Sequence, residues 1–201
     1  MRTSSVRRLV LDLAFDGACT AAQAARNRGR QALVSAAEGG LVVVRTYPYR
    51  LTGGARGRVP VPVVLLSGAG EELARREEGV VPYRPPEREL AHAIGVSELR
   101  AALGLDPAGG VRGDVLKAMW ARAGGSGRGV PDALFTDGET SLALEYDHGK
   151  YTMEQAEEKL RCAYYLAERL VWGAPSRARA DWLRRLGVEE VLVLSPPLVW
   201  P

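Results

Sequence analysis

Three prolines fall within five residues, Pro82, Pro85 and Pro86, in the stretch VVPYRPPE. Each ring restricts φ and removes a backbone donor, so neither a helix nor a sheet ladder runs through this stretch, and the chain on either side folds as a separate piece. This spacing predicts two domains, residues 1–79 and 80–201, which a chain of 201 residues can support. Charge divides at about the same place. Residues 1–70 hold ten arginines and three acids, an excess of +7, and the rest of the chain stands at −4. A basic amino-terminal part points to a polyanionic partner.

The chain has no run of about 18 apolar residues, and Asp12 and Asp16 interrupt or flank its first apolar stretch. That pattern speaks against a membrane span or a secretory signal, so a cytoplasmic protein without a membrane partner is expected. Cys19 and Cys162 lie far apart without metal-ligand spacing, which gives no disulfide framework and no structural zinc site. Lysine is rare, at 117, 150 and 159 alone.

From Ser4 to Asp16, Val6, Leu9, Val10 and Leu13 recur at helical spacing. Thr20 can cap a second helix, AAQAARNR, that stops at Gly29, and RQALVSAAE forms a third before Gly39-Gly40. LVVVRTYPYRL and VPVPVVLL are β-rich runs around TGGARGR, a flexible basic hairpin tip. Pro60 and Pro62 predict an edge position for the second run. The order of elements over roughly residues 4–67 resembles the winged helix-turn-helix class. The resemblance implies double-stranded DNA as partner, the third helix in the major groove and the wing on the backbone, with Arg28, Arg30, Arg56 and Arg58 at phosphates or groove edges. The same arginines suit a solvated face used for protein contacts.

GAGEELARREEG reads as a short charged helix, and ERELAHAIGVSELRAALG as another that Gly95 can divide. DVLKAMWARAG fits a helix by the spacing of Val115, Leu116, Met119 and Trp120, yet a strand ending near Arg122 fits as well. Residues 130–166 carry the chemistry. ALF and SLALEYD flank TDGET, and Asp137-Gly138 marks a hairpin. Asp132 opens its first strand, and period two puts Glu145 and Asp147 on one face near the end of the second. Three carboxylates brought together require a cation, and a hard divalent ion, Mg²⁺ or Mn²⁺, suits such oxygen ligands; Asp132, Glu145 and Asp147 are the expected metal ligands. A lysine nearby would stabilise charge on a phosphodiester.

Pro131-Asp132 and Glu145 resemble the PD-(D/E)XK nuclease superfamily. Together with PDALF, ALEYDHGKYT, EEKLRCAYYL and the amino-terminal helices, the chain resembles the replication-relaxation family of plasmid and mobile-element proteins. The resemblance implies an α/β protein: a winged helix followed by an αβββαβ core with a mixed sheet. It also implies a role in plasmid replication or transfer, with metal-dependent cleavage or nicking by Asp132, Glu145, Asp147 and a lysine. A non-catalytic regulator built on the same fold is the alternative, and an assembly protein a third class. The core requires DVLKAMWAR as its first strand, so that segment is expected to be extended. Asp147 stands where a working nuclease usually carries lysine, and Lys159, two turns into the next helix, is the natural substitute, with Lys150 nearer in sequence but beyond Gly149. Glu89 and Glu98 are candidates for a further acid, and His92 for a structural or supporting role.

The last long helix is expected over Met153 to Trp172, with Leu160, Ala163, Tyr164, Ala167, Leu170 and Val171 as its packed face. Arg161, Arg169, Arg177, Arg179, Arg184 and Arg185 suit a solvated face or an extended nucleic-acid surface. EEVLVLS reads as a buried final strand, and PPLVWP as an apolar tip that can dock on another subunit; the family resemblance implies plasmid-replication and transfer proteins as further partners. No phosphate-cradling glycine loop, nucleophile elbow or HExxH motif is present, which leaves nucleotide hydrolysis, acyl transfer and zinc proteolysis without support.

Overall fold

The computed structural model describes residues 4–50, 57–137 and 140–195. The chain is mixed α/β, with a helical amino-terminal region and a mixed sheet in its carboxy-terminal half. It divides into two compact units between Ala101 and Ala102.

The first unit begins with α1 (Ser4–Asp16), β1 (Cys19–Thr20), α2 (Ala21–Arg28) and α3 (Arg30–Glu38). Thr20 caps α2 through a reciprocal bond with Gln23, and Gly29 joins α2 to α3 at φ 88°, a left-handed position suited to glycine. Two strands follow, β2 (Val42–Arg50) and β3 (Arg58–Leu66), then α4 (Gly68–Glu78) and, after the proline stretch, α5 (Leu90–Ala102). The three strands form an antiparallel sheet of order β1-β3-β2. Its two faces follow the period of the strand. Val64 packs with Leu9, Leu13 and Leu33, and Val61 and Val63 pack with Tyr49 and Ile94. Because α5 covers that second face, the division falls after α5 and not within the prolines. Gly95 is buried inside an unbroken α5.

The expectation of an edge position for β3 is corrected: β3 is the middle strand. Two-residue β1 reaches only Val63 and Val64, so Pro60 and Pro62 face β2 alone and lose no ladder bond on their open side. β1 itself is too short to show a period in the sequence.

The second unit contains β4 (Gly110–Arg112), α6 (Gly113–Arg122), β5 (Ala133–Asp137), β6 (Thr140–Tyr146), α7 (Met153–Leu166), β7 (Arg169–Ala174), α8 (Arg177–Arg185) and β8 (Glu190–Val193). The sheet order is β4-β5-β6-β7-β8, antiparallel from β4 to β6 and parallel from β6 to β8. Trp172, Leu170 and Ala143 pack with Ala156 and Ala163 of α7 and Leu183 of α8.

Four expectations are corrected here. DVLKAMWAR is helical, as its spacing said, and Gly110–Arg112 supplies the strand instead. A Cβ at Gly110 would stand 2.4 Å from the Phe135 ring, so glycine lets β4 lie against that ring. The helix from Met153 ends at Leu166, and RLVWGA is β7. A strand buried on both faces presents the same unbroken apolar run as a buried helix end. Tyr164 is exposed and does not belong to the core. β8 is an edge strand with only Val191 buried. Arg56, Gly138 and PPLVWP lie outside the described residues.

Candidate functional site

Asp132 continues the β5–β6 ladder by donating its N–H to the Leu144 carbonyl at 2.9 Å, and its Oδ2 accepts the Tyr146 N–H at 2.9 Å. Glu145 lies on β6, a strand with neighbours on both sides, and is 1% exposed. Its Oε2 accepts from Lys159 Nζ at 2.7 Å, and its Oε1 accepts from the Tyr151 hydroxyl at 2.6 Å. Lys159 arrives from α7, whose start is set by the Thr152–Gln155 capping box. It also donates to the Val130 carbonyl at 3.2 Å and lies 5.3 Å from the centre of the Tyr151 ring. Burial pulls against its charge, and the carboxylates of Glu145 and Asp132 more than offset that, so the Lys159 ammonium titrates above the ordinary lysine range.

Asp147 is fully buried and does different work. Its Oδ1 accepts the N–H groups of Gly149 at 2.7 Å and Lys150 at 3.1 Å, which closes the turn after β6, and Gly149 supplies the φ of 80° that the turn requires. Its Oδ2 is paired with Arg179 Nε of α8. Arg179 donates in addition to the Tyr151 carbonyl at 2.7 Å and stacks on Trp182 at 3.6 Å. Tyr151 is therefore held at both ends, by its hydroxyl on Glu145 and by its backbone on Arg179. Burial first, and the charge of Glu145 second, push its phenol well above the usual range.

The structure brings Asp132, Glu145 and Lys159 into one cluster through Tyr146, Tyr151 and Val130, and gives Asp147 to the neighbouring turn. Tyr151 was not among the candidates, and Arg179 was one only for a solvated or nucleic-acid surface. No spacing marks a tyrosine placed just before a helix cap, and Arg179 reads in sequence as one of a set of surface arginines. Lys150 is exposed, and only its backbone takes part. The Mg²⁺ or Mn²⁺ expectation meets a donor set that does not fit it. Glu145 and Asp147 are each matched by a cation of the protein itself, and among the described residues no group of three His, Cys, Asp or Glu side chains is disposed to hold a metal ion.

Beside the cluster, Tyr151 and Lys159 form part of the wall of a cleft of about 530 Å³, whose other lining includes Lys117, Arg128, Gln155 and Glu158.

The remaining candidates lie in the first unit. Glu98 is buried and accepts from Gln23 at 2.8 Å and Arg26 at 2.7 and 2.9 Å, and Glu89 accepts from the Tyr83 hydroxyl at 3.3 Å. His92 is half-buried on α5. Arg28 is bound through two nitrogens to Asp12, at 2.5 and 2.9 Å, so its guanidinium serves the fold. Arg100, itself buried, reaches Asp12 at 2.8 Å and Asp16 at 2.8 Å, which links α1, α2 and α5 in one chain of charges. Arg30, at the start of α3, and Arg58, at the start of β3, are exposed.

No protein-family model, curated protein or solved structure matches the chain. Among the described residues no helix is long and apolar enough to cross a membrane.

Proposed function

We propose that the chain is a DNA-binding protein of the plasmid or mobile-element type, in which a winged helix holds duplex DNA and a PD-(D/E)XK-like unit serves as a binding platform. The observation that carries the first part is the order α1-β1-α2-α3-β2-β3 with sheet order β1-β3-β2, the arrangement of a winged helix. Arg30 on the helix that would enter the groove and Arg58 on the hairpin are exposed within a segment of +7 charge. With α6 inserted between β4 and β5, the run β4-β5-β6-α7-β7 follows the βββαβ part of the αβββαβ core. A platform is favoured over a nuclease because Asp147 is taken up by Arg179 and by the turn at Gly149, and so is not free to join Asp132 and Glu145 as a third ligand. Regulation of replication, transfer or transcription is the role that such a binder fills.

The cleavage reading draws on one observation, the meeting of Lys159 with Glu145 beside Asp132, which is the constellation that the superfamily pattern asks for. The test uses the full chain on a duplex oligonucleotide and on supercoiled plasmid. Duplex affinity should fall steeply with salt, and Arg30→Ala with Arg58→Ala should reduce the salt slope by about two. Salt-indifferent binding would remove the winged-helix reading. Plasmid should stay supercoiled with Mg²⁺ or Mn²⁺; nicking that disappears in Asp132→Asn and Lys159→Ala would replace the platform with a nuclease.

A further inference from the structure

Two features of the second unit share the helices α6 and α7, one beside the acidic cluster and one beyond it. One is an aromatic pair. Trp120 of α6 and Tyr165 of α7 meet edge to face, with ring centres 6.0 Å apart at 90°. The backbone of Gly125 lies against the indole, since a Cβ there would stand 1.9 Å from Trp120 Cδ1. Trp120 is thus clamped, whereas Tyr165 is 79% exposed. An aromatic ring positioned at one edge and otherwise in water offers a flat apolar face at little cost in conformational freedom.

The other feature is the cleft. Lys117 lies one turn before Trp120 on α6, and Glu158 lies two turns before Tyr165 on α7, about 10 Å along the axis. Lys117 and Arg128 are exposed and have no ion-pair partner among the described residues. Lys159 spends two of its three N–H donors on Glu145 and Val130, and it lines the same cleft. Glu158 is the one carboxylate on the lining among the described residues. The cleft is cationic, and the aromatic pair stands further along the two helices that contribute to its walls.

We infer that the second unit binds single-stranded DNA, with backbone phosphate at Lys117 and Arg128 and a base stacked on Tyr165. A basic groove followed by an open aromatic face is the combination that recognises unpaired strands without sequence preference, because every base has a π-face. Duplex DNA does not meet this geometry, since its bases are stacked on each other and offer only their edges. The inference stands independently of the duplex reading of the first unit, and it gives the two units different forms of DNA to hold.

The experiment measures binding of the full chain to an oligothymidylate of about 12 nucleotides and to a duplex of equal length, by anisotropy and by quenching of tryptophan fluorescence. Tyr165→Ala should weaken oligothymidylate binding by about tenfold, and Tyr165→Phe should retain it. Lys117→Ala with Arg128→Ala should weaken it and lower its salt slope by about one and a half, with duplex binding unchanged. Arg30→Ala with Arg58→Ala should do the reverse. All these side chains are exposed, and circular dichroism establishes that each variant is folded. Equal affinity of Tyr165→Ala and wild type, or loss of oligothymidylate binding through Arg30 and Arg58 alone, overturns the inference. Absence of duplex binding with oligothymidylate binding intact would overturn the winged-helix reading and leave this one standing.

Discussion

Replacing Lys159 with methionine removes an ammonium while keeping most of the apolar stem. Glu145, 1% exposed, is then left with the Tyr151 hydroxyl at 2.6 Å in place of a cation. Breaking a buried pair from one side costs roughly 3–5 kcal/mol, because the remaining charge is both desolvated and unmatched. The lysine side chain is 14% exposed, so some solvent already reaches it and the lower end, about 3 kcal/mol, is expected. Glu145→Gln should cost less, about 1–2 kcal/mol, since Lys159 can turn toward the cleft and water. The double variant should lie within about 1 kcal/mol of wild type, giving a coupling of about 3 kcal/mol or more. Urea unfolding followed by tryptophan emission suits the measurement, because all four tryptophans lie at or beyond position 120. With a slope of about 2 kcal/mol per molar urea, Lys159→Met should lower the midpoint by about 1.5 M. A Lys159→Met midpoint within about 0.5 M of wild type, or a double variant weaker than both singles, would refute the reasoning.

In the first unit, Arg100→Met strands Asp16 in the interior and removes one of the two arginines that hold Asp12, and should destabilise that unit by about 3–5 kcal/mol, read by amide exchange in α1 and α5. Lys159 and Tyr151 both titrate above their ordinary values in the folded chain, so their contribution is complete below the unfolded pKa values near 10 and declines as pH rises through the folded ones. The second unit should accordingly lose stability above about pH 10, and absorbance at alkaline pH should show Tyr151 ionising only as the tryptophan signal reports unfolding. Gly113→Ala places a Cβ 2.6 Å from the Pro131 carbonyl and 2.9 Å from that of Asp132, and should cost about 1–3 kcal/mol in the same urea assay.

The helices of the first unit are legible because Val6, Leu9, Val10 and Leu13 of α1 and Ala32, Leu33 and Ala36 of α3 recur at helical spacing, and the ends of α2 and α3 carry Thr20 and the glycines at 29 and 39. β1 and β4 are too short to show a period, and they escape a reading based on patterns. β7 was hidden for a different reason, since Arg169–Ala174 is covered on both faces and its residues are those of a helix end. The acids and Lys159 are visible in the sequence as residue types. Their partners are not, because Tyr151 reaches Glu145 through a turn shaped by Asp147 and Gly149, and Arg179 comes from α8, 32 positions beyond Asp147. Arg28 shows the converse: its charge fits a DNA contact, and only the fold reveals Asp12 beside it.

The placement of Arg100 has a consequence for the order in which the first unit is made. Asp12 and Asp16 leave the ribosome early, and the side chain that neutralises both follows 88 and 84 positions later. A nascent chain that has produced every strand and helix up to α4 already has Arg28 beside Asp12, but it still holds the Asp16 carboxylate without its cation where its core should close, and the second face of its small sheet is bare. Collapse before α5 emerges would trap the charge of Asp16 in an apolar interior. The unit is thus protected from closing prematurely by the lateness of its own counter-ion, and a fragment cut at the prolines should behave as a nascent chain stalled in that open state.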